Sequence, residues 1–203
     1  MGQVLNEISV IYSAEDSLER NKQELVYLDY IKDHINNVHK AYEMYMLPLL
    51  ELDVIPCTLI STEELKQAIE NNRERIDHHD DSKFGEEEFD GYRAHFHPTE
   101  AEKLDDDLQA KVAERFENEC WVHHYTVNDH HPEHWVDKET QIAKDMTLDA
   151  IIEMLCDWEA MSMKFEDIMT WYETKGNKKQ YSENTKRIVE DLLYNVLHAP
   201  VKE

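Results

Sequence analysis

The composition of this 203-residue chain predicts an all-α fold, a single-domain bundle of about six to eight helices. Only four Gly and five Pro are present, which leaves little material for the turns that join β-strands. Apolar residues recur at three- and four-residue steps over long stretches, as they do on one buried face of a helix. With 41% hydrophobic residues, the chain can bury a core of its own, and we expect one domain over residues 1–203.

The first predicted helix begins near residue 17 and runs toward Pro48. Its apolar side chains form one stripe at helical spacing, made of Leu28, Ile31, Ile35, Val38, Tyr42, Tyr45 and Leu49. His34 follows the second member of this stripe by three residues, so it borders the buried face. We expect residues 51–60 to form a loop.

The second predicted helix has a clear start signal, a capping box at residues 61–64. Its inner face consists of Leu65, Ile69, Asn72 and Ile76. His79 and Asp80 follow the last of these by three and four residues, so helical periodicity directs both toward the same face. The same periodicity directs His78 and Asp81 outward.

Residues 86–96 and 99–124 are predicted to form two further helices, separated by Pro98. The longer of the two should bury one row of side chains, namely Leu104, Leu108, Val112, Phe116 and Cys120. Its C-terminal end carries the doublet His123-His124. Spacing from the apolar row does not choose which of these two histidines points inward.

The remainder of the chain adds another histidine doublet and a solitary carboxylate. A loop or broken helix carries His130-His131, and a helix should then begin after the N-cap Thr147. That helix is apolar on two sides, and Asp157 lies in one of the apolar rows. A carboxylate buried there must be paired or bound to a metal. A last helix is predicted at residues 182–198, packed on the rest of the domain.

The charge and the cysteines exclude several classes of function. A formal net charge of −24 repels a nucleic-acid backbone, so we expect no long nucleic acid as a partner. The three cysteines form no CxxC pair, and free thiols indicate a reducing, cytoplasmic setting. The start of the chain has no signal-peptide pattern, and no apolar run approaches the ~20 residues of a membrane span. Long exposed helices would permit a homodimer.

The inward-facing polar residues follow one order along the chain: His34, then His79-Asp80, then Asp157. Imidazoles and carboxylates together suit divalent transition metals. The order His … His-Asp … Asp, from three separate helices, resembles the HD-domain superfamily of metal-dependent phosphohydrolases. This resemblance implies a helical bundle whose helices meet at a metal held by those four residues. The first helix also carries the His-x-x-x-Val pattern of the family, ending at Val38.

Lys83 narrows the resemblance to particular branches of the superfamily. It completes an HD-x-x-K motif with His79-Asp80, and this motif resembles that of two branches, the cyclic-dinucleotide phosphodiesterases and the myo-inositol oxygenases. Both branches also have further histidine ligands between the His-Asp pair and the final Asp. The minimal nucleotidase branch has an acidic residue at that position, so this chain departs from it. The Gly-Tyr-Pro signature of the cyclic-dinucleotide enzymes is also missing.

The whole pattern is more similar still to a family of small phage and bacterial proteins with no assigned activity. The matching residues span roughly residues 30–172 and include Lys83-Phe84, Glu88-Phe89, Tyr92-Arg93, Trp121, His123-His124, Asn128, His130-His131, Trp135, Glu153-Met154, Cys156-Asp157-Trp158 and Ala160-Met161. This similarity identifies relatives without naming a reaction. A cytoplasmic setting would then be that of a bacterium, or of the host cell if the protein is phage-encoded.

The resemblance implies hydrolysis of a nucleotide or another small phosphoester by a metal-activated water. One or two ions per chain would be Mn, Fe, Co or Ni, with His124 and either His130 or His131 completing a second site. Asp80 or Asp157 would bridge the two ions. Lys83 at the rim, assisted by Arg93, would neutralise the substrate phosphate.

Two alternatives to hydrolysis stay open. The same ligand set is compatible with a mixed-valence di-iron oxygenase. A protein that sequesters a nucleotide without turnover is the other.

Overall fold

The computed structural model describes residues 14–198, and this part of the chain is all-α. Among these residues, extended pairing is limited to one isolated bridge between Val136 and Ala143. The helices, in chain order, are α1 (Ala14–Ala41), α2 (Thr62–Asp77), α3 (Phe89–Phe96), α4 (Glu100–Leu104), α5 (Asp106–Arg115), α6 (Trp121–Val127), α7 (Leu148–Ser162), α8 (Ile168–Thr174) and α9 (Glu183–Asp191). The predicted fold class is therefore confirmed. Residues 1–13 and 199–203 of the predicted domain lie outside the described residues.

Several helices are prolonged by turns of different pitch. After α1 the chain continues through a π-helical turn, Tyr42–Met46, and a 3-10 turn, Leu47–Glu51, so the first helical run ends close to the predicted proline. A second π-helical turn, Phe116–Cys120, joins α5 directly to α6. A third, Leu192–Leu197, prolongs α9 to the end of the predicted last helix.

Helix α7 lies at the centre of the main core. It is the most apolar of the helices, and its buried residues include Ile151, Ile152 and Leu155, which are fully covered. It packs chiefly against α1 and α2, whose stripes were predicted from sequence. The hydroxyl of Tyr42 donates to the carbonyl of Ile69 at 2.6 Å and ties the first run to α2. The capping box that starts α2 and the N-cap Thr147 of α7 are both present as predicted.

The carboxylate of Asp191, at the end of α9, fixes the C-terminal helix to the loop between α1 and α2. Its Oδ2 atom accepts hydrogen bonds from the backbone nitrogens of Thr58 (2.7 Å) and Leu59 (2.9 Å) and from the hydroxyl of Thr58 (3.0 Å). The Cys57 thiol donates to the same oxygen at 3.2 Å, and Asn195 donates to Oδ1 at 2.6 Å. Both oxygens of this carboxylate are thus used by the fold.

The predicted helix over residues 99–124 is wrong in one respect, because the chain breaks at Asp105. This residue is extended, and its side chain accepts a hydrogen bond from the backbone nitrogen of Leu108 to cap α5. The break reorients the preceding turn, so Leu104 is 85% exposed rather than buried. The residues of α5 all stay at least partly exposed, Phe116 packs against Tyr92, and full burial resumes at Cys120.

Across residues 14–198, no helix is both long enough and apolar enough to cross a lipid bilayer.

Candidate metal centre

The tight turn after α2 directs His79 and Asp80 into the protein. The helix ends at Asp77, and Asp80 adopts a left-handed conformation with φ 59° and ψ 19°. Asp and Asn are among the few non-glycine residues that tolerate this region. His79 and Asp80 are buried while His78 and Asp81 are exposed, as predicted, but a turn achieves this rather than continuation of the helix.

Two histidines converge on the Oδ2 atom of Asp80, and Asp157 lies beside both of them. His34 Nε2 from α1 lies 3.4 Å from this oxygen, and His79 Nε2 lies 3.5 Å from it. Asp157 Oδ1 from α7 lies 3.2 Å from His34 Nε2 and 4.0 Å from His79 Nε2. The structure therefore brings together the four residues that the HD-like order singled out, and these four are called group 1 below.

A second set of imidazoles faces Oδ1, the other carboxylate oxygen of Asp80. His124 Nε2 lies 3.4 Å from it and His130 Nε2 lies 3.7 Å from it. His131 Nε2 is 2.8 Å from His124 Nε2, and one ligand atom from each of the four residues lies within 4.8 Å of all the others. We call Asp80 with these three histidines group 2. Asp80 thus belongs to both groups, whereas Asp157 belongs to group 1 alone.

The doublets that spacing left unresolved differ in their placement. His124 faces the cluster, whereas His123 turns toward Glu88 and is partly exposed. Both His130 and His131 are brought to group 2, the first fully buried and the second partly.

The donor set fits one or two divalent cations. Within the described chain, two buried atoms of the cluster, Asp80 Oδ1 and His130 Nε2, have no hydrogen-bond partner. A buried polar atom without a partner is costly, and a bound ion removes that cost. Imidazole nitrogens and carboxylate oxygens are the donors that Mn, Fe, Co and Ni accept.

Glu153 on α7 orients one histidine of each group. Its Oε1 atom lies 2.9 Å from His79 Nδ1 and 3.1 Å from His130 Nδ1. An ionised carboxylate can only accept, so each ring carries its proton on Nδ1 and presents the Nε2 lone pair to the cluster. Arg75 donates to Glu153 Oε2 at 2.7 Å and also pairs with Asp129.

Glu88 has the same role for His124. Its Oε2 atom lies 2.8 Å from His124 Nδ1, and its other oxygen lies 2.7 Å from His123 Nδ1. Asn128 packs beside the pair and donates to the His124 carbonyl at 2.9 Å. This support around a ligand histidine is typical of metal sites in proteins.

Sequence reasoning missed Glu88 and Glu153 as members of the site. A signal was available for Glu153, because it precedes Asp157 by four residues and so lies on the same face of an otherwise apolar helix. Glu88 had only its place in the family-like pattern. Both side chains are buried in the structure. Acidic side chains are seldom buried unless they are paired, so their burial indicates that each has a partner in the site.

The electrostatics of the cluster favour anionic carboxylates. Burial opposes ionisation of Asp80, but Lys83 and the nearby histidines hold its pKa well below its usual range. Burial also opposes protonation of His34, yet hydrogen bonds to Asp157 and Asp80 raise its pKa to about 9. Burial beside His130 and His124 keeps the pKa of His131 well below its usual value, so this ring is neutral and free to act as a ligand.

The two predicted substrate-binding cations lie in different places. Lys83 donates to Asp80 Oδ2 at 2.6 Å, and its ammonium lies 5.5 Å from the ring centroid of Tyr92, beside the cluster. Arg93 is buried elsewhere, in a two-pronged pair with Glu102 at 2.6 and 2.9 Å. The structure therefore does not bring Arg93 to the cluster, because the capping carboxylate of α4 holds its guanidinium.

Two cavities open beside the cluster and share the side chains of Trp121, His131, Asp157 and Met161. The larger, about 600 Å³, is also lined by Trp158, Phe165 and Trp171, with Lys175 and Lys179 at one side. The smaller, about 220 Å³, is also lined by Tyr27, Tyr30, Lys83, Tyr92, Phe96 and Phe116. The cluster thus faces a space with aromatic walls on both sides.

An all-α protein with a buried histidine and carboxylate cluster is the class that this fold and site define. Residues 23–199 match a family of unknown function, DUF5662, and the chain belongs to that family. The matched range contains both groups of the cluster. A search among curated proteins found no match, and a search among solved structures found none.

Proposed function

We propose that this protein is a metal-dependent phosphohydrolase of the HD type. The observation that carries the proposal is Asp80, whose two oxygens face two separate sets of imidazoles while one of them has no hydrogen-bond partner in the described chain. A carboxylate between two ion sites is the arrangement that dinuclear hydrolases require.

Group 1 would hold one ion and group 2 the other, with Asp80 shared. When bound there, Mn, Fe, Co or Ni would supply an activated water and neutralise charge on the phosphoryl oxygens. Glu153 and Glu88 keep the ligand lone pairs aimed at the cluster. Lys83 holds Asp80 in place and lines the smaller cavity, where its ammonium would neutralise a phosphoryl oxygen.

The cavities support a nucleotide or a similar small phosphoester as the substrate. The larger cavity has the volume of a pocket for a small organic molecule, and its indole walls suit the flat face of a base. A long nucleic acid is a poor substrate for a chain with a net charge of −24, because the surplus of carboxylates repels its phosphates.

The first experiment compares D80N with D81N, a matched pair of adjacent aspartates. Asp80 is buried in the cluster and Asp81 is exposed, so both variants lose one charge but only D80N loses the shared ligand. We expect about two transition-metal ions per chain by elemental mass spectrometry in wild type and D81N. In D80N we expect fewer ions and a loss of nucleotide hydrolysis of roughly 10³-fold or more.

Metal-free protein that takes up no added Mn or Fe would contradict the proposal. So would equal hydrolysis in the two variants.

A mixed-valence di-iron oxygenase is the second candidate function. The number of histidines around Asp80 supports it. Five imidazoles and two carboxylates converge there, a donor set that iron accepts. The same preparation separates the candidates. Two iron ions with oxygen uptake on a polyol or phosphonate would favour the oxygenase, and hydrolysis with Mn, Co or Ni would favour the hydrolase. Nucleotide binding that survives in D80N, without turnover in wild type, would indicate a sequestering protein.

A further inference from the structure

Two tyrosines, Tyr27 on α1 and Tyr92 on α3, bury their hydroxyl groups beside the cluster. Tyr27 is 1% exposed and Tyr92 is 6% exposed. Neither hydroxyl has a hydrogen-bond partner within residues 14–198. Buried tyrosine hydroxyls normally find one, so two such groups together need an explanation.

Both tyrosines line the smaller cavity, together with Lys83, His34, His124 and Asp157. Asp80 Oδ1, an acceptor, is likewise without a partner in the described structure, so the two hydroxyl donors are not in contact with it. The two hydroxyl donors therefore have no acceptor among the described residues, and an acceptor group bound in the smaller cavity would satisfy them.

The two hydroxyls can act only as neutral groups. Burial, together with the nearby charges of Asp80 and Glu88, raises the pKa of both phenols far above its usual value. They therefore keep their protons at any physiological pH and remain hydrogen-bond donors. A donor surrounded by aromatic rings gains most from an anionic oxygen.

We propose that the hydroxyls of Tyr27 and Tyr92 form an oxyanion subsite that binds non-bridging oxygens of a phosphoryl group at the cluster. This inference rests on the proposed function and specifies how its substrate is held. Lys83 supplies the positive charge and the tyrosines supply two directed donors. The larger cavity then receives the remainder of the substrate, beside Trp158 and Trp171.

The test uses inorganic phosphate and the Mn-loaded protein, with Y27F and Y92F as variants and Y30F as the matched control. Tyr30 lines the same cavity but is only partly buried. We expect Y27F and Y92F to weaken phosphate binding by roughly tenfold or more in calorimetry, because each loses a hydrogen bond to an anion. Y30F should bind phosphate as wild type does.

A second measurement separates this role from a structural one. If the hydroxyls serve only a ligand, removing them eliminates an unsatisfied buried group, so the metal-free Y27F and Y92F proteins should unfold at the same temperature as wild type or higher. Metal content should be unchanged. Lower unfolding temperatures in both variants, or unchanged phosphate affinity, would overturn the subsite. So would wild-type, metal-loaded protein that does not bind phosphate.

Failure of the proposed function would look different. Tyrosine-dependent phosphate binding without hydrolysis of any phosphoester would leave the subsite standing and reject the hydrolase. Hydrolysis whose KM and kcat are the same in wild type, Y27F and Y92F would leave the hydrolase standing and reject the subsite.

Discussion

Asp80 and Asp191 are both buried aspartates, 1% and 6% exposed, but they differ in how completely their carboxylate oxygens are hydrogen-bonded. Asp191 accepts hydrogen bonds at both oxygens, from the loop between α1 and α2 and from its own helical run. Asp80 accepts one short bond from Lys83, and its other oxygen has no partner in the part of the chain described. The first carboxylate is fully used by hydrogen bonds within the fold, whereas the second keeps one oxygen free for the metal ion that we propose.

The surroundings of the two residues reinforce this difference. Asp191 lies at the end of a regular helix, in ordinary backbone geometry. Asp80 is left-handed, and like Glu88 and Glu153 it is a buried acid beside histidines rather than beside backbone donors. Strain and incomplete pairing concentrated in one place are typical of binding sites. Burial alone does not distinguish the two roles, but the completeness of hydrogen bonding does.

The largest difference between Asp80 and Asp191 is expected in how much added metal raises the free energy of unfolding. Mn²⁺ at about 1,000 times its Kd should stabilise wild type and D191N by about 4 kcal/mol, because the ion binds only the folded state. D80N should show little of this shift. Thermal unfolding with and without Mn²⁺ measures it, and Asn is chosen because it tolerates the left-handed backbone at this position. An equal shift in D80N would remove the distinction between the two aspartates.

A smaller effect is expected at Glu153, the carboxylate that orients two histidines of the cluster. E153Q removes the charge that holds the protons of His79 and His130 on Nδ1, so metal affinity should fall by roughly 10- to 100-fold. The matched control is E159Q on the same helix, because Glu159 is also buried but bonds His198, outside the cluster. Competitive metal titration measures both. Equal loss in E159Q would indicate a general effect on α7.

The smallest effect is expected for the structural aspartate, and it depends on pH. Burial alone would raise the pKa of Asp191, but the hydrogen bonds it accepts from Asn195, Cys57 and the backbone of Thr58 and Leu59 lower it to about 2. Its ionised form therefore contributes about 2 kcal/mol to the free energy of unfolding. This contribution is complete above the unfolded-state pKa near 4 and is lost as pH falls toward 2.

Metal-free D191N should accordingly be less stable than wild type at pH 7, and the gap should narrow as pH falls from about 4 to 2. Denaturant unfolding at both ends of that range measures the gap. A gap that stays constant with pH would mean that the carboxylate charge is not the source of the stability.

The fold was predictable where a helix has its own sequence pattern, either an apolar stripe at helical spacing or a capping motif at its start. The stripe of α1, the capping box of α2 and the apolar faces of α7 all appear in the structure as the sequence indicates. The exposed Leu104 was not predictable from periodicity, because the break at Asp105 depends on a local capping bond that competes with helix continuation.

The site was predictable where helical spacing gives one inward direction, and not where two adjacent histidines have equivalent spacing from the apolar row. His34 and Asp157 follow from periodicity alone. His79 and Asp80 were assigned correctly although α2 ends before them, since a tight turn happens to keep the direction that a helix would have given. The choice of His124 over His123, and the use of both His130 and His131, depend on tertiary placement. Arg93 was expected at the site because spacing along the chain does not show that its guanidinium pairs with Glu102, although the Thr99-x-x-Glu102 capping pattern itself is visible in the sequence.

The π-helical turn at Phe116–Cys120 sets the direction in which His124 points. This turn holds one residue more than an α-helical turn would, so the phase of α6 is offset by about 100° from a regular continuation of α5. The connection between α5 and His124 can therefore lose a residue by relaxing to an ordinary helix while His124 keeps its direction. It cannot gain one without rotating that imidazole away from Asp80. We therefore expect a one-residue deletion in this turn to disturb the cluster less than a one-residue insertion.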